Sequence, residues 1–96
     1  MASVLINSLK EPMPDKKFYI YILLCSNNKL YCGYTDDLEK RFESHLKGTA
    51  SKFTRANKPV KIVYSKEYPT KFEAMKEEYR IKKLTRSQKN KLINFN

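Results

Sequence analysis

The chain has 96 residues, with 20 Lys and Arg against 10 Asp and Glu, for a formal net charge of +10. That length holds one core and excludes a multidomain machine, while no apolar run nears the ~18 residues of a bilayer crossing and residues 1–7 lack the regions of a secretion signal. A monomeric cytoplasmic protein without membrane contact is expected, and it should fold, because Leu, Ile, Val and Phe supply 23 residues, above the ~20% below which a highly charged chain stays disordered.

Residues 1–17 hold Pro12 and Pro14 and no sustained period, and are expected to form a flexible extension leading into a domain at 18–96. The β-branched and aromatic run Phe18–Leu24 predicts a strand, and Ser26-Asn27-Asn28 a hairpin turn. Leu30–Thr35 reads as the return strand, in which Gly33 is unexpected unless a backbone or ligand must come close. Thr35 or Asp36 can cap a helix to Lys47, Glu39 completing a box with Asp36, while Leu38, Phe42 and Leu46 make an apolar stripe and Gly48 ends it. Residues 48–59 read as a basic loop and Val60–Ser65 as a third strand. Thr70-x-x-Glu73 opens a helix to Leu84, and Thr85-x-x-Gln88 opens another carrying Leu92 and Ile93. The order β-β-α-β-α-α implies an α/β (mixed α+β) architecture, a small three-stranded mixed sheet flanked by helices.

The positive excess lies in the second half, where residues 47–66 hold six cations and no acid. Such a patch releases counterions from a nucleic-acid backbone and binds it in a salt-sensitive, sequence-blind way. One His excludes a two-His zinc site, and two glycines leave no phosphate-cradling P-loop. Cys25 and Cys32, seven apart with no second pair, read as free thiols.

Tyr19, Tyr21, Tyr31 and Tyr34 cluster in the first hairpin, either as sheet packing or as clustered phenols of a site. Arg41 and His45, four apart, share a helix face. Around the helix from Thr70, Phe72, Ala74, Met75, Tyr79 and Ile81 fall on one broad half, and Glu78 falls among them, whereas Glu73 and Glu77 face solvent. An inward carboxylate needs a cation, a hydrogen bond or a metal.

Together, Tyr19-Ile-Tyr21, Tyr31-Cys-Gly33, Arg41 eight residues on, His45 four further and Glu78 on a later helix resemble the GIY-YIG nuclease superfamily. The segments around Lys-Phe-Thr-Arg and Glu-Glu-Tyr-Arg-Ile-Lys-Lys-Leu narrow the likeness to the small stand-alone bacterial members, over about residues 18–93. Tyr19 stands where the first Gly of the motif falls and Cys32 replaces its Ile; neither position supplies a reacting atom in that family.

The resemblance implies a metal-dependent endonuclease on DNA, less readily RNA, of structured or repair-related kind. Tyr21 would act as or orient the base for an attacking water, with Tyr31 assisting and nearby positive charge lowering the phenol's pKa. Arg41 would hold phosphate, His45 would hydrogen-bond phosphate or water, and Glu78 would ligate one Mg²⁺ or Mn²⁺. Gly33 would let substrate or backbone approach, and Lys52, Arg55 and Lys58 would position phosphates. A partner protein could supply specificity. The alternative is a non-catalytic DNA- or RNA-binding module retaining the fold.

Overall fold

Helices cover both faces of the sheet, so its central strand buries side chains on both, and the first strand does so. In the computed structural model, which describes residues 16–94, β1 (Phe18–Cys25) lies between β2 (Leu30–Thr35) and β3 (Pro59–Tyr68) in the order β2-β1-β3. Ile20, Tyr21, Ile22 and Leu23 are all buried. Both pairings are antiparallel, so the sheet is not mixed as expected: β3 returns alongside β1 and no parallel pair forms. The extension expected over residues 1–17 lies outside the described residues except for Lys16 and Lys17.

Successive strand side chains point to opposite faces. Ile20 and Ile22 join Cys32, Tyr64 and Ile81 in one buried cluster, against which Leu84, Leu92 and Ile93 pack. Tyr21 points the other way, toward two helices between β2 and β3, α1 (Leu38–Lys47) and α2 (Lys52–Ala56). After β3 come α3 (Lys71–Lys82) and α4 (Arg86–Asn94), which bring Ile81 and the Leu92–Ile93 pair to the first face.

The hairpin turns at Asn28, in the left-handed region at φ 69° that Asn tolerates better than most residues. Arg86 donates to the Asn28 carbonyl at 2.8 Å and ties α4 to this turn. The expected box from Asp36 to Glu39 is displaced by one residue: Thr35 Oγ1 accepts the Asp37 N–H, which turns the chain there, and Asp37 caps α1 by accepting the Lys40 N–H. Asp36 is left to pair with Lys16 at 3.0 Å. Gly48, at φ 80°, ends α1 as expected.

Three further expectations are corrected. The basic loop contains a helix, α2, because Ser51 caps it by accepting the Thr54 N–H. On α1 the buried residue is His45, not the apolar stripe's Leu46, which is 48% exposed. On α3 the buried face is narrow, Ala74 and Ile81, and leaves Phe72, Met75 and Tyr79 in solvent. The caps at Thr70 and Thr85 form as read, and at Thr85 the box closes both ways: Gln88 N–H donates to Thr85 Oγ1 and Thr85 N–H to Gln88 Oε1.

Candidate active site

Tyr21 and Gly33 face each other across the β1–β2 ladder. A Cβ on Gly33 would lie 2.6 Å from the Tyr21 hydroxyl and 2.8 Å from Cζ, so the missing side chain is the space in which the phenol lies. Gly33 was expected to admit substrate or backbone; the protein's own ring occupies its open face.

From there the hydroxyl reaches Nε2 of His45 at 2.8 Å. On the far side of the imidazole, Nδ1 lies 2.7 Å from Thr54 Oγ1, and Thr54 Oγ1 lies 2.8 Å from Ser51 Oγ. His45 is 1% exposed and Thr54 2%. Both ring nitrogens are engaged by hydroxyls, so the expected hydrogen bond from His45 to phosphate or water is not made; the imidazole sits behind Tyr21. Tyr31 stands edge-on to His45 with its centroid 5.0 Å away and stacks on Phe53 at 5.8 Å.

Burial sets the protonation states. It pushes the Tyr21 phenol well above its ordinary value, helped by Tyr31 and only partly opposed by Arg41. Arg41 does act in the expected acidifying direction, but burial outweighs it. Burial, with Arg41 adding to it, holds His45 down at about 4, so the imidazole is neutral at pH 7. Burial also lifts the Cys32 thiol to about 11, and with Cys25 it packs as a free, protonated side chain.

Tyr21, Tyr31, Gly33, Arg41 and Glu78 line one open cleft of about 530 Å³. Five of the expected site residues thus converge from β1, β2, α1 and α3. Glu78 is half-buried, with Lys82 Nζ 3.4 Å from its carboxylate. Its neighbour Glu77 is equally covered, not solvent-facing as expected, and is tied to Arg80 of the same helix. Glu77 is thereby held below the usual carboxylate range, chiefly by the Arg80 hydrogen bonds. Lys52, Arg55 and Lys58 do not join the cleft. Arg55 and Lys58 line a separate shallow groove with Lys47 beside Gly48, and Lys52 is exposed at the start of α2.

Several polar contributors lie outside the expected set. Lys16, Asp36 and Lys71 also line the cleft, and Thr54 buttresses His45. Thr54 had a signal in Ser51-x-x-Thr54, a short-helix cap beside a lone His that needs a second polar partner once buried.

Residues 17–92 match the GIY-YIG catalytic domain. The chain belongs to that family. GIY-YIG domains form a nuclease superfamily and act on nucleic acid. Among similar proteins, a UPF0213 protein of Bacillus velezensis is 46% identical over 81 residues, covering 84% of this chain and 82% of that protein. A UPF0213 protein of Clostridium perfringens is 51% identical over 75 residues, covering 78% and 81%. The solution NMR structure of the UPF0213 protein BH0048 from Bacillus halodurans superposes with a TM-score of 0.55 at 38% identity, over 83% of this chain and 85% of that one. In this GIY-YIG domain the two tripeptides of the motif lie on the paired strands β1 and β2. Cys32, which departs from the motif, points into the apolar cluster on the opposite face from Tyr21. Tyr19, the other departure, does not line the cleft.

Proposed function

We propose that this GIY-YIG protein is a metal-dependent endonuclease that hydrolyses a phosphodiester bond of DNA, in preference to RNA, by in-line attack of water. The observation that carries the reading is the convergence, in one cleft, of a phenol backed by a neutral imidazole, a guanidinium and a carboxylate.

The scissile phosphate enters among Arg41, Lys16 and Lys71. Arg41 offers a planar fork that takes phosphate oxygens and offsets the charge that grows on them in the transition state. Tyr21 orients the attacking water. Its phenol is protonated at neutral pH and donates to His45 Nε2, 2.8 Å away, so its oxygen accepts a hydrogen bond from the water, whose proton passes to bulk solvent. That direction requires the imidazole hydrogen on Nδ1, donated to Thr54 Oγ1, with Thr54 donating in turn to Ser51 Oγ. Tyr31 keeps the imidazole in its plane by packing against its edge. The leaving oxygen takes its proton from solvent.

Glu78 would hold one Mg²⁺ or Mn²⁺. A single carboxylate beside bound phosphate suits a hard cation that keeps several waters. No group of three or more His, Cys, Asp or Glu able to enclose a metal occurs among the described residues. When bound, the ion supplies positive charge at the leaving oxygen. The groove of Lys47, Arg55 and Lys58, with Lys52 nearby in sequence, positions phosphates without reading bases. Specificity then comes from DNA structure, as in repair intermediates, or from a partner protein. The protein acts as a monomer in the cytoplasm. Among the described residues no helix is long and apolar enough to cross a membrane.

The test is a time course on supercoiled, single-stranded and branched DNA and on structured RNA, with Mg²⁺, Mn²⁺ or EDTA. Wild type is run beside Tyr21→Phe and Glu78→Gln. Metal-dependent cleavage lost in both variants is expected. The raised pKa of Tyr21 favours one rival, a module that binds nucleic acid without cleaving it. That rival predicts tight, salt-sensitive binding and no turnover with any metal.

A further inference from the structure

From the outer flank of α3 we infer a platform for unpaired nucleotides that continues the DNA path out of the cleft. The inference deepens the nuclease reading and rests on it. An α-helix turns about 100° per residue. Phe72, Lys76 and Tyr79 therefore share one flank, which Lys83 at the C-cap extends. Phe72 is 68% exposed and Tyr79 64%. Lys76 Nζ rests 5.3 Å from the Phe72 ring centroid and Lys83 Nζ 4.2 Å from that of Tyr79. Of the other sides of α3, one places Ala74 and Ile81 in the core, one places Lys71 and Glu78 at the cleft, and one carries exposed Glu73 and the Glu77–Arg80 pair. The ring-bearing flank adjoins the cleft side through Met75, itself exposed.

Two exposed rings alternating with two lysines, and no acid among them, fit one occupant best. A duplex offers phosphates to the lysines and leaves the rings idle, since its bases are stacked on each other. An acidic protein surface would likewise meet the lysines and leave flat rings facing carboxylates. An unpaired strand supplies both halves, a base for each ring and a phosphate for each lysine. The rings are seven residues apart, roughly 10 Å along the helix, which spans about three nucleotide steps of ~3.4 Å. An exposed lysine over a ring is held more weakly than a stacked base, so the base displaces it and frees it for phosphate. The cleft at one end and the platform at the other select DNA in which a single strand meets the bond to be cut.

Binding is measured in EDTA, where nothing is cut, with a labelled single-stranded oligodeoxynucleotide and with the blunt duplex of the same sequence. Phe72→Ala and Tyr79→Ala are each expected to lose single-strand affinity by about 10-fold, to leave duplex affinity unchanged, and to be rescued by Tyr79→Phe at the second position. Both rings are on the surface, so the variants fold, as circular dichroism will verify. Loss on neither substrate, or equal loss on both, overturns the platform. Self-association of the wild type that Phe72→Ala abolishes, with single-strand affinity unaltered, overturns it in favour of a protein contact. Cleavage is read separately with Mg²⁺ on DNA bearing a single-stranded arm. Ring-dependent binding by a protein that cleaves nothing sinks the nuclease reading and leaves the platform standing, whereas cleavage with ring-independent binding does the reverse.

Discussion

The open face of Gly33 is filled by the phenol of Tyr21, whose hydroxyl lies 2.6 Å from where a Gly33 Cβ would be. Real Cβ contacts are never that close, so Gly33→Ala must push the ring off its line to His45. A buried aromatic with few alternative rotamers yields at an overpacking cost of about 1–3 kcal/mol. Urea unfolding should show a loss of that size in Gly33→Ala, and most of it should vanish when measured against a Tyr21→Ala background, where no ring stands in the way. Cleavage should fall further than stability does. A cost that persists without the ring would place the role of Gly33 in its backbone instead.

Thr54 holds the imidazole from behind. Thr54→Val keeps the shape and removes the hydroxyl, which leaves His45 Nδ1 without a partner in a dry site and costs about 1–3 kcal/mol. It should also release the tautomer, which ¹⁵N shifts of the imidazole report: hydrogen on Nδ1 in the wild type, a mixture in Thr54→Val. The cleavage rate should drop with the tautomer, and Thr54→Ser should restore both. A lower rate with an unaltered tautomer would mean that Thr54 acts only through stability.

Strong periods and caps made most of the fold legible. Phe18–Leu24 could only be a strand, and Thr70 and Thr85 carry capping signatures whose hydrogen bonds form. The five-residue α2 was hidden because one short turn of helix has no period, and its cap, Ser51, lies in a stretch dominated by charge. The antiparallel return of β3 was hidden because a long helical crossover can re-enter a sheet in either direction. On α3 the buried apolar face is narrower than the pattern suggests, since Ala74 and Ile81 are its fully buried residues and part of its inner side borders the cleft. The convergence of Tyr21, Tyr31, Arg41 and Glu78 in one cleft is what the resemblance to the GIY-YIG family implied. The partners of His45 were not legible, because the nitrogens of a buried imidazole are satisfied by contacts that spacing does not encode.

The depressed pKa of His45 makes stability depend on pH. Folded, the imidazole titrates at about 4; unfolded, near its ordinary 6.5. Between these values the unfolded chain binds a proton that the folded one refuses, so stability is complete above about 6.5 and declines as pH falls toward 4, by up to about 3 kcal/mol. Asp36 and Glu77, held low by Lys16 and Arg80, lose their contributions only as pH falls below the ordinary carboxylate range. Urea midpoints from pH 7 to pH 4 should decline for the wild type and run nearly flat in His45→Gln. An equal slope in both would assign the dependence to other groups.

Glu78 and Glu77 adjoin on α3 and are equally covered, yet their surroundings assign them different work. Arg80 satisfies Glu77 with two hydrogen bonds, whereas Glu78 lines the cleft and its carboxylate has one salt bridge among the described residues, to Lys82 at 3.4 Å. Removing charge from Glu78 should therefore cost function, and removing it from Glu77 should cost stability. Glu78→Gln is expected to reduce cleavage to background and to weaken Mn²⁺ binding seen by electron paramagnetic resonance, with salt-dependent DNA affinity retained because arginines and lysines supply it. Glu77→Gln should bind Mn²⁺ as the wild type does and unfold at lower urea, since it leaves the Arg80 guanidinium with a neutral partner. If the two substitutions weaken Mn²⁺ binding alike, the ion is not held by the cleft carboxylate. If Glu78→Gln loses DNA affinity together with cleavage, Glu78 orders the binding surface and the metal role falls.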